Sequence, residues 1–183
     1  MHTEHVILFA GPMGAGKTAA ISALSEIPVV STEALNTDLA ASAKLTTTVA
    51  LDYGQITLED GHVIRLYGVP GQERFEFVWK LLQTRAVGLV LLLDACAKDP
   101  VEDVDFFLDH FKELLRHGAA VVGVTRTDLA ANEAFARCCA RLRQHHERIP
   151  VFEVDARDRA QMVVLLTALI TLVQMRETEL EAN

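Results

Sequence analysis

Clustered basic charge is the first thing this sequence lacks. Its 17 Lys and Arg stand against 25 Asp and Glu, a net charge of −8, and no basic run exceeds two residues. Neutralising a nucleic-acid backbone takes grouped Lys and Arg, so no nucleic-acid partner is expected. Cysteine is sparse too. Cys96, Cys138 and Cys139 form no CxxC pair, and the histidines complete no zinc spacing. Neither a disulfide framework nor a structural zinc is expected, which fits a reduced, cytoplasmic setting. Cys138 and Cys139 are adjacent in a helical stretch and point apart, which suits a structural role, and His145-His146 suits a helix C-terminus. Met1-His2-Thr3-Glu4-His5 has no basic flank, residue 2 is not Gly, and the last four residues hold no Cys. Neither a signal peptide nor a lipid anchor is therefore expected. The most apolar stretch, 162–175, is 14 residues long. A bilayer span needs ~20, so this stretch is expected to be a buried helix and the chain to have no integral membrane segment.

What the sequence does contain is alternation. Half of its 183 residues are apolar and 23% are charged, enough for one core, and no linker or repeat divides residues 1–183. Short apolar runs at 5–10, 87–93, 119–124 and 151–154 are too short for helices. Their unbroken hydrophobicity suits strands covered on both faces. Between them, helical periods occupy 17–25, 101–117, 132–148 and 158–177. This is the βαβ pattern of an α/β domain with a mostly parallel sheet. One region departs from it. Segments 49–59 and 62–67 are strand-like and are joined by Asp60-Gly61, a hairpin dipeptide, which adds one antiparallel edge strand. The expected total is six strands and about five helices. Residues 27–47 are polar, Ala/Thr-rich and weakly periodic, and read as a long functional loop.

Gly11-Pro12-Met13-Gly14-Ala15-Gly16-Lys17-Thr18 matches GxxxxGK(S/T) between an apolar strand and a helix-forming run, the context in which that motif binds phosphate. The glycines let backbone N–H groups face the phosphates, and the following helix N-terminus adds partial positive charge. Lys17 is placed to bridge β- and γ-phosphates and the Thr18 hydroxyl to ligate Mg2+. Pro12, Met13, Gly14, Ala15, Gly16 and Ala19 complete the expected phosphate-side contacts.

Further along, Tyr67-Gly68-Val69-Pro70-Gly71-Gln72-Glu73-Arg74-Phe75 resembles the DTAGQERF switch II motif of Ras- and Rab-like small GTPases. Thr48, opening Thr-Val-Ala-Leu-Asp-Tyr, resembles the switch I threonine, with Thr46 and Thr47 beside it. Thr125-Arg126-Thr127-Asp128 resembles the guanine motif NKxD, and Asp155-Ala156-Arg157 resembles SAK. The VPGQ variant is most similar to the bacterial MglA-like branch, whose members work with roadblock-domain partners. The resemblance implies a Ras-like fold that binds GTP and GDP with Mg2+ and hydrolyses GTP slowly as a molecular switch. It assigns Gln72 to orient the attacking water, and Lys17 and Thr48 to assist catalysis. Thr18 and Thr48 would hold the metal and Gly71 the γ-phosphate. Thr125, Arg126, Asp128, Asp155, Ala156 and Arg157 would hold the guanine.

The sequence also departs from that pattern. Gly68 stands where the family has the Asp that supports Mg2+ through water, and Met13 stands where Ras-like proteins have Gly. Thr125 and Arg126 replace Asn and Lys. Among nearby acids, Asp52 reads as a strand-surface residue, and Asp94, at a strand end on the nucleotide side, as the candidate to offset Gly68. Phe75, Phe77, Val78 and Trp79 read equally as core or as a partner-facing patch, the latter suited to a roadblock-domain regulator. Two other functions fit parts of the sequence: a nucleotide-dependent interaction module without turnover, and an ATP-using P-loop phosphotransferase.

Overall fold

The computed structural model describes residues 4–32, 51–58, 61–130, 133–145 and 148–181. Thr46, Thr47, Thr48, Asp60 and His146 lie outside them. The described residues form seven strands: β1 (Glu4–Ala10), β2 (Val30–Thr32), β3 (Leu51–Thr57), β4 (Val63–Gly68), β5 (Ala86–Asp94), β6 (Ala119–Thr125) and β7 (Val151–Glu153). The helices are α1 (Lys17–Leu24), α2 (Glu76–Gln83), α3 (Pro100–His110), α4 (Lys112–His117), α5 (Glu133–His145) and α6 (Arg159–Glu181).

One sheet joins the strands in the order β2-β3-β4-β1-β5-β6-β7. β1 pairs in parallel with both β4 and β5, which makes it the central strand. β3 alone runs against its neighbours, β2 and β4. The α/β fold with its mostly parallel sheet and single reversed strand thus stands as expected. Three residues of the stretch read as loop, Val30–Thr32, add a short strand outside β3, so the reversed strand is second from the edge.

Both faces of the sheet are covered, which explains the unbroken apolar runs. Ile7 and Phe9 of β1, with Val90 and Leu92 of β5, pack under α1 and α6. Leu8, Ala10, Leu89, Leu91 and Leu93 pack on the other face, under α2 to α5. By length and composition the stretch Arg159–Glu179 could cross a membrane. Its residues Met162, Leu165, Leu166 and Leu169, however, are buried against the sheet. Cys138 is buried on α5, and burial pushes its thiol up to about 11.

Two helical features were not anticipated. The patch after Gln72 is an amphipathic helix, α2, that divides its residues between core and solvent. Trp79 is fully buried among Phe106, Phe107, His110 and Phe111 of the α3 region, and Val78 is buried with it. Phe77 and Leu81, four residues apart on one helix face, are each 46% exposed. Of the two readings open for the Phe75–Trp79 cluster, the core reading holds for Val78 and Trp79, whose place in a docking patch is thereby corrected, while Phe77 stays on the exposed face. The second feature is a break in the expected helix 101–117 at Phe111, whose φ of −100° and ψ of 15° leave helical geometry. The buried Gln83 side chain fills that break. Its Nε2 donates to the His110 carbonyl at 3.2 Å, and its Oε1 accepts from the Leu114 N–H at 3.3 Å.

Gln83→Leu keeps the volume and leaves both backbone groups without these partners. It should lower stability by about 1–3 kcal/mol, read as a shift of the urea midpoint at unchanged slope. An unshifted midpoint would show that the break is held by packing alone.

Candidate functional site

The phosphate loop connects the buried end of β1 to the first turn of α1. At Gly11 the chain turns with φ of 136° so close to β5 that a Cβ would fall 1.9 Å from the Leu92 carbonyl oxygen. Only glycine fits there. α1 then opens at Gly16 with no side-chain cap, so its first-turn N–H groups stay available to an anion. The Lys17 ammonium folds over the loop and donates to the Gly11 and Pro12 carbonyls, both at 2.8 Å. Burial lowers its pKa to about 8, against an opposing pull from the Asp52 carboxylate.

Asp52, expected at the strand surface, instead faces the loop: it accepts a hydrogen bond from the Thr18 hydroxyl. Asp94 does not face this end of the site. Its Oδ2 pairs with Arg126 at 2.6 Å and its Oδ1 accepts from the Cys96 N–H at 2.9 Å. Asp94, engaged with Arg126 and the Cys96 N–H, therefore does not stand where it could offset Gly68. Gly71 lies directly on the loop, where a Cβ would come within 2.6 Å of the Gly11 carbonyl oxygen. The next residue, Gln72, directs its amide at the Met13 sulfur, 3.9 Å away. A cleft of about 630 Å³ brings together Met13, Gly14, Gly16, Lys17, Thr18, Ala19, Asp52, Gly68, Gly71 and Gln72.

A second cleft, of about 590 Å³, shares Gly14, Gly16 and Ala19 with the first and extends past Ala15 to Thr125, Arg126, Asp128, Asp155, Ala156 and Arg157. The four expected elements that lie within the described residues (the phosphate loop, the segment after β4, residues 125–128 and residues 155–157) therefore line two adjoining clefts that form one groove. Within it, two residues bind the loop. Thr125 is buried, with its hydroxyl 3.2 Å from the Ala15 carbonyl oxygen and 3.0 Å from that of Leu93. Arg126, at φ of 58°, donates to the Gly14 carbonyl at 3.0 Å while paired with Asp94. Asp128 lines the groove in the turn that follows β6. Arg157 pairs with Asp155, which holds that exposed carboxyl well below its usual range, at about 2.

Gln161 was missed in the sequence. Its Oε1 accepts from the Asp155 N–H at 2.8 Å and its Nε2 donates to Asp158 Oδ2 at 3.0 Å, so it anchors the 155–157 loop to the start of α6. The Asp-x-x-Gln spacing at 158–161 was the available signal, since Asp158 also accepts from the Ala160 and Gln161 N–H groups as an N-cap.

The family model described as "Conserved hypothetical ATP binding protein" matches residues 28–176. This chain belongs to that family. The match begins C-terminal to the phosphate loop, so the loop itself and the family assignment are separate observations pointing to a nucleotide-binding P-loop fold. An uncharacterized protein of Methanocaldococcus jannaschii is 29% identical over 91 residues, covering 50% of this chain and 58% of that protein. The matched region thus spans little more than half of that relative's length.

The family's nucleotide-binding character makes the Lys17 pKa consequential. Without ligand, Lys17 releases its proton near pH 8, whereas an unfolded lysine does so at 10.5. Between those values the unfolded chain binds more protons, so the lysine's contribution to ligand-free stability rises with pH. Affinity for a polyphosphate runs the other way, because the phosphates need the charged form. Nucleotide affinity should weaken as pH rises from about 7 to about 9, with proton uptake on binding measurable by calorimetry in buffers of different ionisation heat. A flat profile without uptake would show that Lys17 stays charged before binding.

Proposed function

We propose that this chain is a guanine-nucleotide switch that hydrolyses GTP slowly with Mg2+. The observation that carries the reading is the continuous groove along the phosphate loop, with Lys17 and Thr18 at one end and Asp128 with the 155–157 loop at the other. A carboxylate there can accept both the N1–H and the 2-amino group of guanine. Adenine offers neither donor in that arrangement and would leave the carboxylate unpaired. Thr125 and Arg126 fit this reading as struts. They hold the loop carbonyls of Ala15 and Gly14, so the base end and phosphate end keep a fixed spacing.

The metal in this reading is Mg2+, held through oxygen donors. Among the described residues no group of three or more His, Cys, Asp and Glu could hold a metal alone. Mg2+ keeps several waters and takes one or two protein oxygens beside the substrate phosphates. Thr18 would be one such ligand, and Thr48, in the switch I position of the resemblance, the other. Bound Mg2+ would neutralise charge on the β- and γ-phosphates. Gln72 is the water-orienting residue, and its contact with Met13 favours slow turnover by the chain alone, because the amide must leave that sulfur to meet a water. A regulator is proposed to release it, a roadblock-domain partner docking on the exposed Phe77 and Leu81 face of α2. The family description favours adenine nucleotide instead.

Competition against a fluorescent guanine nucleotide separates the two. GTP and GDP should displace it at concentrations at least about tenfold lower than ATP, a difference of roughly 1.4 kcal/mol. Asp128→Asn should move the preference toward xanthine nucleotides. Equal displacement by ATP and GTP would return the chain to the adenine reading.

A further inference from the structure

In register, Asp52 of β3 pairs with Gly68 of β4. The two residues also contend for the same space. A Cβ built on Gly68 would lie 3.0 Å from the Asp52 Cβ and 3.2 Å from its Oδ2. The Asp52 side chain, together with Ile21, whose Cδ1 lies 2.9 Å from that Cβ, therefore occupies the volume into which a side chain at 68 would project. The Asp52 carboxylate accepts from the Thr18 hydroxyl, a donor that keeps an oxygen lone pair free for a cation. It also pulls on the Lys17 ammonium through space, which places its charge at the phosphate end of the groove, in the cleft that Lys17, Thr18 and Gly68 line.

We propose that Asp52 supplies from β3 the metal-supporting carboxylate that β4 lacks at Gly68, orienting Thr18 and the water shell of the nucleotide-bound Mg2+. The inference rests on the Mg2+–nucleotide reading of this groove. Gly68 is then no defect: a carboxylate at each of the two paired positions would crowd one site with like charge, and the small residue at 68 makes room for the one at 52. The role is that of a positioning residue. It acts on the metal through the Thr18 hydroxyl and through water.

The test measures affinity for a fluorescent guanine nucleotide in Mg2+ and in EDTA, and takes the ratio of the two. The wild type should bind more tightly in Mg2+. Asp52→Asn keeps the size and a carbonyl acceptor for Thr18 but removes the charge, and should reduce the Mg2+ advantage, the ratio of the two affinities, by about 10–100-fold, a loss larger than any change of affinity in EDTA that follows from the altered charge beside Lys17. Asp52→Gly combined with Gly68→Asp returns a carboxylate to β4 and should restore most of the advantage. An undiminished ratio in Asp52→Asn would overturn the proposal. So would an equal loss in Mg2+ and EDTA, because Asp52 would then only order the loop. Wild-type affinity that ignores Mg2+ would defeat this inference and leave the nucleotide reading standing, whereas a wild type that binds no nucleotide would defeat both.

Discussion

Backbone pressed on backbone is the constraint around which this molecule is arranged. Gly11 meets the Leu92 carbonyl of β5, and Gly71 meets the Gly11 and Pro12 region with no side chain between them. The phosphate loop is thus wedged between the ends of β1, β5 and the segment that follows β4. Parallel strands deliver all three ends to the same edge of the sheet, where ligands bind in open α/β folds. Sub-ångström displacement of any of these ends is transmitted to the loop, because interiors packed this closely deform little.

Side-chain links then tie the loop to more distant elements. Thr125 and Arg126 reach the carbonyls of Ala15 and Gly14, and Asp94 holds the Arg126 guanidinium. Gln161 steadies the 155–157 loop from α6. On the other side, the Trp79 indole N–H donates to the Pro70 carbonyl at 2.8 Å, immediately before Gly71, while its ring is packed against the aromatic residues around α3. The Trp79 indole thus joins the segment carrying Gly71 and Gln72 to the hydrophobic core, alongside the buried Val69 that precedes it. A partner pressing on the exposed face of α2 would act on that same attachment.

Much of this was legible in the sequence, for physical reasons that also explain what was not. The loop was legible because the steric demands of phosphate binding fix glycine and lysine at set spacings. The central strands were legible because burial on both faces leaves an unbroken apolar run. The break at Phe111 was hidden, since its cause is Gln83, distant in sequence and supplying hydrogen bonds to His110 and Leu114. The division of α2 was hidden because aromatic residues serve equally well as core and as surface until the neighbouring helix is placed. Asp52 was hidden for a similar reason. Strand register sets which residues face each other, and nothing local to Asp52 announces that it pairs with Gly68 beside Thr18. Thr48 was legible only as a motif residue and lies outside the described residues.

Native mass spectrometry of the protein, purified in Mg2+-containing buffer without added nucleotide, tests the central claim most directly. The account predicts a population carrying one guanine nucleotide, GDP above all, which is lost when Lys17 is replaced. A retained adenine nucleotide would contradict the assignment of the base pocket. A protein that leaves native purification bare and then takes up no added nucleotide would contradict the account as a whole.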